Sequence, residues 1–264
     1  MKHFLAAWPR VISALKESHI LLCLDFDGTL ARIVQKPSEA VLPTRTRMVL
    51  KKLRAKDWCT IAVISGRTLH NLIRKVRLEG IIYGGNHGAQ LMGPNVDFQA
   101  PIGPETYSAF ETIKSRLRSL TAVMRGVVIE DKTHSLSIHF RKVEETDVPQ
   151  LSRTISRIVQ PFIDEGYVRI NTGKKVFDIT PRSWNKGKAV QWLLRHLSLS
   201  TMSQSVVPVY VGDDTTDEDA FAAIGQNGFT VVVGNCRRSA AQYSLRDTDE
   251  VLWLLEKMLL LRDH

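Results

Sequence analysis

The stretch that decides the fold lies near the start of the chain and reads Leu21-Leu22-Cys23-Leu24-Asp25-Phe26-Asp27-Gly28-Thr29-Leu30. Four apolar residues that lead directly into a polar, glycine-containing segment are typical of a buried parallel strand that ends in a tight loop. Side chains two residues apart on an extended segment point the same way, so we expect Asp25 and Asp27 to project together. In open α/β sheets, ligands bind at the carboxyl ends of the strands.

Two neighbouring carboxylates repel each other unless a cation or a shared proton relieves the repulsion. Mg²⁺, a hard divalent ion that prefers oxygen ligands, suits this pair best. Asp25 closes the strand and could act as a nucleophile that becomes an aspartyl-phosphate, while Asp27 could give and take the proton. The alternative is an ordinary loop that ends a strand, because Asp-x-Asp before Gly-Thr is a weak signal by itself.

The composition limits the class of protein. The 264 residues are 44% hydrophobic and 24% charged, which suffices for a sizeable core in one large or two modest domains. The formal net charge is +9. Because Lys and Arg are interleaved with acids and no basic run carries aromatic residues, we expect neither nucleic acid nor a membrane as a partner.

The cysteines and the N-terminal segment bear on the compartment. Cys23, Cys59 and Cys236 show no paired spacing, which favours a reducing compartment such as the cytoplasm over a disulfide frame or a zinc site. The apolar N-terminal segment is interrupted by Pro9 and Lys16. It therefore predicts a surface helix packed on the core and not a secretion signal.

Strand and helix patterns alternate at both ends of the chain. The predicted elements are a strand at 21–24, a helix at 44–53, a strand at 58–64, a helix at 68–76 and a strand at 81–83, then a helix at 184–197, strands at 206–211 and 229–233, and a helix at 251–261. This alternation indicates an α/β fold with a doubly wound parallel sheet.

The middle of the chain has a different pattern of predicted helices and strands. Its predicted elements are a helix at 105–120, strands at 127–130 and 136–140, a helix at 149–163, and strands at 167–170 and 176–179 joined by a hairpin turn at 171–173. Strand pairs that alternate with helices predict an antiparallel sheet, separate from the parallel one. We expect an inserted α+β cap domain at 104–183 and a catalytic core domain at 1–103 and 184–264.

Further polar groups follow predicted strands or open a helix. Ser65 could hold a phosphoryl oxygen at the start of the next helix, with Arg67 as a fixed cation, although Ser-Gly often only ends a strand. Asp213, Asp214 and Asp217 lie within five residues and could bind a cation or only cap the next helix. Their convergence with Asp25 at strand ends favours phosphoryl transfer.

The segments that contain Asp25, Ser65, Lys186-Gly187 and Asp213 occur in the same order as the motifs of haloacid dehalogenase phosphatases and resemble them. The resemblance covers nearly the whole chain. Within that superfamily the chain is similar to the trehalose-6-phosphate phosphatase family. The segments that carry this closer likeness are Asn86-His87-Gly88, Glu130-Asp131-Lys132, Ser135-Leu136, His139-Phe140-Arg141 and the run from Gly212 to Phe221.

The resemblance implies an enzyme that hydrolyses trehalose 6-phosphate with Mg²⁺. Asp25 would be the nucleophile and Asp27 the acid and base, and Ser65 and Lys186 would hold the phosphoryl group. Lys186 is preferred to Lys188, which we expect to be solvated, because the family motif is Lys-Gly.

The resemblance also assigns the ligands. Metal would be bound by Asp25, the Asp27 carbonyl and Asp213, with Asp214 and Asp217 nearby. Sugar and phosphate contacts would come from the remaining predicted substrate-binding residues, which are Arg67, Asn86, His87, Glu130, Lys132, Arg141 and Asp178. The last of these stands where the family has Glu, and Thr180 stands where it has Arg.

These two departures leave other substrates open, including sucrose phosphate and glucosylglycerate phosphate. A sugar-phosphate-binding regulator without turnover is the alternative outside the enzymes. We expect a stand-alone, monomeric phosphatase.

Overall fold

The apolar run before Asp25 forms a strand, His19–Leu24, in the computed structural model, which describes residues 2–173, 175–200, 205–235 and 238–262. The chain divides into two units. The first comprises Met1–Gln99 and Lys186–His264, and the second comprises Ala100–Asn185. No helix in the described ranges is long and apolar enough to cross a membrane.

The first unit contains nine strands and six α-helices among its described residues. The strands are β1 (Lys2–His3), β2 (His19–Leu24), β3 (Cys59–Ile64), β4 (Ile82–Gly85), β5 (Gln90–Gly93), β6 (Val96–Gln99), β11 (Val206–Gly212), β12 (Phe229–Val233) and β13 (Tyr243–Leu245). The helices are α1 (Phe4–Lys16), α2 (Thr44–Arg54), α3 (Leu69–Val76), α6 (Lys186–Ser200), α7 (Glu218–Ile224) and α8 (Thr248–Leu259).

All nine strands join one sheet in the order β1-β13-β12-β11-β2-β3-β4-β5-β6. The pairings from β1 to β4 are parallel, and β4, β5 and β6 continue as an antiparallel meander. The predicted doubly wound parallel sheet is therefore confirmed. The sequence did not predict the short strands β1, β5, β6 and β13.

Alternation along β2 explains how both faces of the sheet are buried. Ile20, Leu22 and Leu24 belong to one apolar cluster that also contains side chains of α1, α2, α3 and α8. Leu21 and Cys23 are equally buried but belong outside that cluster, because successive side chains of a strand point to opposite faces. On the sheet, α6 contacts β11 and α7 contacts β12, and these two helices also contact each other.

The second unit is an antiparallel sheet with two helices. Its elements are α4 (Pro104–Val123), β7 (Val128–Asp131), β8 (Leu136–His139), α5 (Val148–Asp164), β9 (Val168–Gly173) and β10 (Val176–Pro181). The strand order is β7-β8-β10-β9, with every pairing antiparallel. Apolar side chains of both helices and of the sheet share one buried cluster.

The predicted hairpin turn at 171–173 is wrong. Asn171, Thr172 and Gly173 pair with Asp178, Phe177 and Val176, so both strands continue past the expected turn. The reversal lies after Gly173, where Lys175 has a positive φ of 62° and Lys174 is outside the described residues. Asn and Gly favour turns, but pairing along the whole strand overrides that local preference.

Candidate active site

The predicted site residues of the first unit follow the carboxyl ends of adjacent strands. Asp25 follows β2, Ser65 follows β3, and Asp213 follows β11. Parallel pairing of these strands brings their ends to the same edge of the sheet. Asp25 continues the alternation of Leu21 and Cys23, so its side chain is directed to the face on which α6 lies.

Buried ion pairs join the start of α6 to the ends of β2 and β11. The Lys186 ammonium donates to Asp25 Oδ1 at 2.6 Å and to Asp217 Oδ1 at 2.7 Å. Lys186 is only 2% exposed and Asp25 only 4%. An ammonium buried this deeply is stable only when it is paired, so these contacts fix its position. The competing residue, Lys188, is exposed.

The glycine after Lys186 permits this arrangement. A Cβ on Gly187 would lie 2.3 Å from the backbone oxygen of Asp219 in α7, a distance that atoms of folded proteins do not adopt. Close packing of α6 on α7 therefore requires glycine here. The Lys-Gly pair supplies both the cation and the close approach that keeps the cation in place.

Asp217 is completely buried and accepts from four donors. Its Oδ1 accepts from Lys186 and, at 2.8 Å, from the hydroxyl of Tyr210. Its Oδ2 accepts from the backbone N–H groups of Asp213 and Asp214, both at 3.0 Å. Asp217 thus holds the ammonium and the loop that carries Asp213.

Sequence reasoning missed Tyr210. Val209 and Val211 belong to the apolar cluster under one face of the sheet, so Tyr210 is directed to the other, where it is 0% exposed. A buried tyrosine hydroxyl needs a hydrogen-bond partner. That rule, applied to the alternation of β11, is the signal that would have indicated a polar partner for this side chain.

Three carboxylates form a cluster. Asp25, Asp213 and Asp217 each offer an oxygen atom, and these atoms lie within 4.8 Å of one another. Gly28 lies against the same cluster, because a Cβ on this residue would be 1.9 Å from Asp213 Oδ2. With one ammonium among three carboxylates, the ionised cluster keeps excess negative charge, which suits a divalent cation.

The ionisation of the cluster follows from burial and charge. Burial raises the pKa of Asp25 well above its usual range, Lys186 opposes the shift, and Asp217 and Asp213 add to it. For Lys186, burial lowers the pKa, but Asp217 and Asp25 outweigh burial and raise it above its ordinary value. The site therefore contains a firmly protonated ammonium and a carboxylate whose charged form requires further positive charge.

Asp27 has different surroundings. Its two carboxylate oxygens accept from Arg67 Nε and Nη2, both at 2.6 Å. Its side chain is 39% exposed, whereas that of Asp25 is 6% exposed. The structure gives the two carboxylates separate cationic partners.

Arg67 is itself anchored on several sides. Its Nη1 donates to Asn71 Oδ1 at 2.9 Å and its Nη2 to the Pro37 carbonyl at 2.8 Å. Its guanidinium carbon lies 5.3 Å from the centre of the Phe26 ring. The backbone N–H of Arg67 donates to Ser65 Oγ at 3.2 Å. One residue thus links the loops after β2 and β3.

Asp214 lies outside the carboxylate cluster among the described residues. It is exposed, and its Oδ1 accepts from the Thr215 N–H at 2.7 Å at the start of a short 3₁₀ turn, Thr215–Asp217. Of the predicted metal ligands, the cluster contains Asp25, Asp213 and Asp217. The side chain of Asp214 instead caps the turn.

Ser65, Asn86 and His87 are all buried. The N–H of His87 donates to the Ser65 carbonyl at 2.9 Å, and the N–H of Asn86 donates to the Arg67 carbonyl at 2.7 Å. Both Asn86 and His87 have positive φ, 51° and 58°. The His87 ring lies over Gly66, where a Cβ would be 2.7 Å from its Cε1. These contacts join the loop after β3 to the loop after β4.

The remaining predicted residues belong to the second unit. Lys132 Nζ forms an ion pair with Asp178 Oδ1 at 3.8 Å, and Ser137 Oγ donates a hydrogen bond to the same oxygen. Glu130 Oε2 and His139 Nε2 are 3.0 Å apart, and Arg141 is exposed. The pairing of β8 with β10 sets Asp178 opposite Ser137.

Comparisons with known proteins agree with one another. The model of the trehalose-phosphatase family matches residues 23–249. Trehalose-phosphate phosphatase B of Arabidopsis thaliana is 33% identical over 264 residues, which cover 94% of this chain and 68% of that protein.

Solved structures support the same fold. The C-terminal domain of trehalose-6-phosphate phosphatase from C. albicans is similar with a TM-score of 0.82 at 23% identity, covering 95% of this chain and 96% of that one. A haloacid dehalogenase-like hydrolase from Bacteroides thetaiotaomicron is similar with a TM-score of 0.67 at 15% identity, covering 91% and 99%.

Proposed function

The chain belongs to the trehalose-phosphatase family, within the haloacid dehalogenase fold, and we propose that it hydrolyses trehalose 6-phosphate to trehalose and phosphate through an aspartyl-phosphate. The observation that carries this proposal is the buried contact of Lys186 with Asp25, at 2.6 Å, beside Asp213. A carboxylate held next to a fixed cation at the carboxyl edge of a parallel sheet is suited to attack a bound phosphate ester.

The chemistry divides into two steps. In the first, an Asp25 oxygen forms a bond to phosphorus while the bond from phosphorus to the sugar oxygen breaks, and Asp27 gives its proton to that oxygen. In the second, Asp27 takes a proton from water, whose oxygen attacks phosphorus and releases inorganic phosphate from Asp25. Lys186 and Ser65 hold the phosphoryl oxygens, since phosphoryl transfer depends mainly on positioning and electrostatics.

The residues present fit a magnesium ion. The cluster of Asp25, Asp213 and Asp217 consists of oxygen donors, and the raised pKa of Asp25 indicates that its ionised form needs another positive charge. Asp25 and Asp213 would hold the ion, with the Asp27 carbonyl, while Asp217 orients the loop. When bound, Mg²⁺ supplies charge neutralisation for the phosphoryl group and for the carboxylates.

In the proposed reaction, residues of the second unit bind the sugar. We assign sugar contacts to Glu130, Lys132, Arg141 and Asp178 on the family resemblance alone. Asp178 is one methylene shorter than the family's Glu, and Ser137 donates to it in this structure. Thr180 is buried, and its hydroxyl accepts from Arg169 and Asn171, both at 3.2 Å. These contacts support a defined geometry at both departures from the family pattern.

We also propose that the enzyme is a monomer in the cytoplasm. Support for a reducing compartment comes from Cys23 and Cys59, which are free buried thiols. Burial raises the pKa of both, to about 12 for Cys59, so neither is activated for disulfide exchange. Cys236 lies outside the described residues.

A substrate panel tests the function. Phosphate release is measured from trehalose 6-phosphate, sucrose phosphate, glucosylglycerate phosphate and glucose 6-phosphate, each with Mg²⁺ and with a chelator. We expect trehalose 6-phosphate to have the highest kcat/KM and the chelator to abolish release. A higher kcat/KM for another member would reassign the substrate, and binding of sugar phosphate without release would indicate a regulator.

A further inference from the structure

Arg67 makes contacts that differ from those of a substrate ligand. Its side chain is 11% exposed, and its contacts to Asp27, Asn71 and the Pro37 carbonyl use four N–H groups. A guanidinium has five such groups in a planar fork. Four of the five N–H groups of Arg67 are therefore directed at the protein itself, and two of these four donate to one carboxylate.

We propose that Arg67 is a positioning residue that fixes the Asp27 carboxylate for proton transfer. The inference rests on the proposed function, in which Asp27 protonates the leaving oxygen and later takes a proton from water. Each carboxylate oxygen has two lone-pair directions, so the two bonds from Arg67 leave one direction on each oxygen for a proton. Arg67 acts on the orientation of the carboxylate, and the proton passes between Asp27 and the reacting oxygen.

The anchoring of Asp27 is needed because this side chain is partly exposed. At 39% exposure, neighbouring side chains alone do not fix its rotamer, and an unanchored carboxylate would occupy several. A paired, planar contact defines both the position and the tilt of the carboxylate plane. Misplacement of a reacting group by about 1 Å can cost roughly 100-fold in rate.

Arg67 is itself fixed in place, because it contacts residues of several other elements. Asn71 lies on α3, Phe26 lies between the two aspartates, and the Pro37 carbonyl belongs to a 3₁₀ turn, Pro37–Glu39, that precedes α2. The Arg67 backbone also donates to Ser65, a predicted phosphoryl ligand. Arg67 thus fixes the position of Asp27, the proposed proton donor, relative to Ser65 at the end of β3.

The first test uses leaving groups. Protonation of the leaving oxygen matters greatly for an alkyl or sugar oxygen and little for p-nitrophenolate. General acid–base catalysis contributes about 10²–10⁴-fold, so Arg67→Ala should lower kcat on trehalose 6-phosphate and ethyl phosphate by roughly 10–100-fold. On p-nitrophenyl phosphate the loss should stay below about threefold, since little of that contribution is used there.

The second test is a double-mutant cycle. Because Arg67 acts through Asp27, Arg67→Ala should have almost no further effect on kcat for ethyl phosphate in an Asp27→Asn background. Asn71→Ala, which removes one anchor of Arg67, should reproduce the leaving-group pattern in weaker form. Arg74→Ala is the matched control, because Arg74 is an exposed arginine that lies, like Asn71, on α3.

Two results would overturn the proposal. One is an equal loss on all three esters, which would make Arg67 a phosphate ligand or a purely structural residue. The other is a full loss that persists in the Asp27→Asn background. If Arg67→Ala does not fold, Arg67→Lys serves, since an ammonium cannot form the paired contact.

A different result would refute the proposed hydrolysis of trehalose 6-phosphate. In that case the wild-type protein would release no phosphate from trehalose 6-phosphate, while the comparison of ethyl and p-nitrophenyl phosphate would still test Arg67.

Discussion

Asp25 and Asp27 are separated by one residue, yet the structure places Asp25 in a buried cluster and Asp27 in a partly exposed position beside Arg67. This difference in environment suits a nucleophile and a proton carrier, respectively. The sequence predicted both roles from spacing and resemblance. The resemblance also placed Lys186 and Asp217 at this site, but the sequence could not predict that Lys186 bridges Asp25 and Asp217, because this contact depends on the packing of α6 and of the loop after β11.

Replacement of the proposed nucleophile is the simplest test among single residues. Asp25→Asn keeps the shape of the side chain and removes the attacking oxygen anion, so turnover of trehalose 6-phosphate should be abolished. The fold should remain intact by circular dichroism. Rates like those of the wild type would refute the assignment of Asp25.

Tyr210→Phe tests the support of Asp217. The change removes one of two donors to Asp217 Oδ1 and leaves the ring in place. Loss of a hydrogen bond to a buried charged group should lower the free energy of unfolding by about 1.5–3 kcal/mol, measured by urea denaturation.

The catalytic effect of Tyr210→Phe should appear in kcat more than in KM, because Asp217, a partner of Lys186, loses one of its donors. Phe221, whose ring is 5.8 Å from that of Tyr210, offers a control in Phe221→Leu. Phe221→Leu should lower the free energy of unfolding and should change kcat only slightly. Unchanged stability and kcat for Tyr210→Phe would show that Asp217 does not depend on this hydroxyl.

Among the elements, the loop after β2 depends on a glycine. Gly28 has φ of +90°, and a Cβ there would meet the Asp213 carboxylate at 1.9 Å. Gly28→Ala should therefore displace Asp213 and raise the Mg²⁺ concentration needed for half-maximal activity.

Gly166→Ala is the matched control for Gly28→Ala. Gly166 also has positive φ, +82°, but a Cβ there meets nothing within 4 Å. Both changes carry a backbone cost of about 1 kcal/mol, and only the first should alter the Mg²⁺ dependence. The same Mg²⁺ dependence in both variants would contradict the placement of Asp213.

The start of α8 predicts a pH dependence of stability. Glu250 accepts from His3 Nε2 at 2.8 Å, from the Arg246 N–H at 2.7 Å and from the Arg246 guanidinium. Burial raises the pKa of Glu250, but the contacts with Arg246 and His3 outweigh burial and lower it overall.

Because the folded-state pKa is lowered, the stabilisation is present above the ordinary glutamate pKa of 4.5 and is lost as the pH falls below it. Glu250→Gln should therefore lower the Tm near neutral pH, and the difference from the wild type should shrink on acidification. A difference that grows on acidification would refute this account.

Elements with an apolar run or a clear alternation were predictable, whereas the short strands β1, β5, β6 and β13 were not. Apolar runs such as those of β2 and β3 are buried on both faces, and this leaves a clear trace in the sequence. β5 and β6 have only four residues each and form an edge meander, where no continuous apolar run is needed. The turn at 171–173 was misplaced because pairing with β10 is not a local property.

For the whole molecule, the two units supply different parts of the proposed function. The first unit contains the groups for phosphoryl transfer, and the predicted sugar ligands lie in the second. The sequence indicated this division by a change from parallel to antiparallel patterning. It could not predict the approach of Lys132 to Asp178, because that approach depends on the strand order β7-β8-β10, which places the end of β7 near β10.

Lys132→Ala tests the division of labour. The change removes a charged side chain of the second unit that is 9% exposed and 3.8 Å from Asp178. It should lower kcat/KM for trehalose 6-phosphate by roughly tenfold or more, as expected for a lost charged hydrogen bond, and spare p-nitrophenyl phosphate. Lys188→Ala, at an exposed position of α6, is the control. Equal losses on both esters would argue against a role in sugar binding.

Trapping of the intermediate tests the central claim most directly. Wild-type protein is mixed with trehalose 6-phosphate, quenched with borohydride, and digested for mass spectrometry, because borohydride reduces an aspartyl-phosphate to homoserine. We predict homoserine at position 25, dependent on trehalose 6-phosphate and absent with trehalose alone. Phosphate release with unmodified Asp25, or with reduction at another carboxylate, would contradict the account.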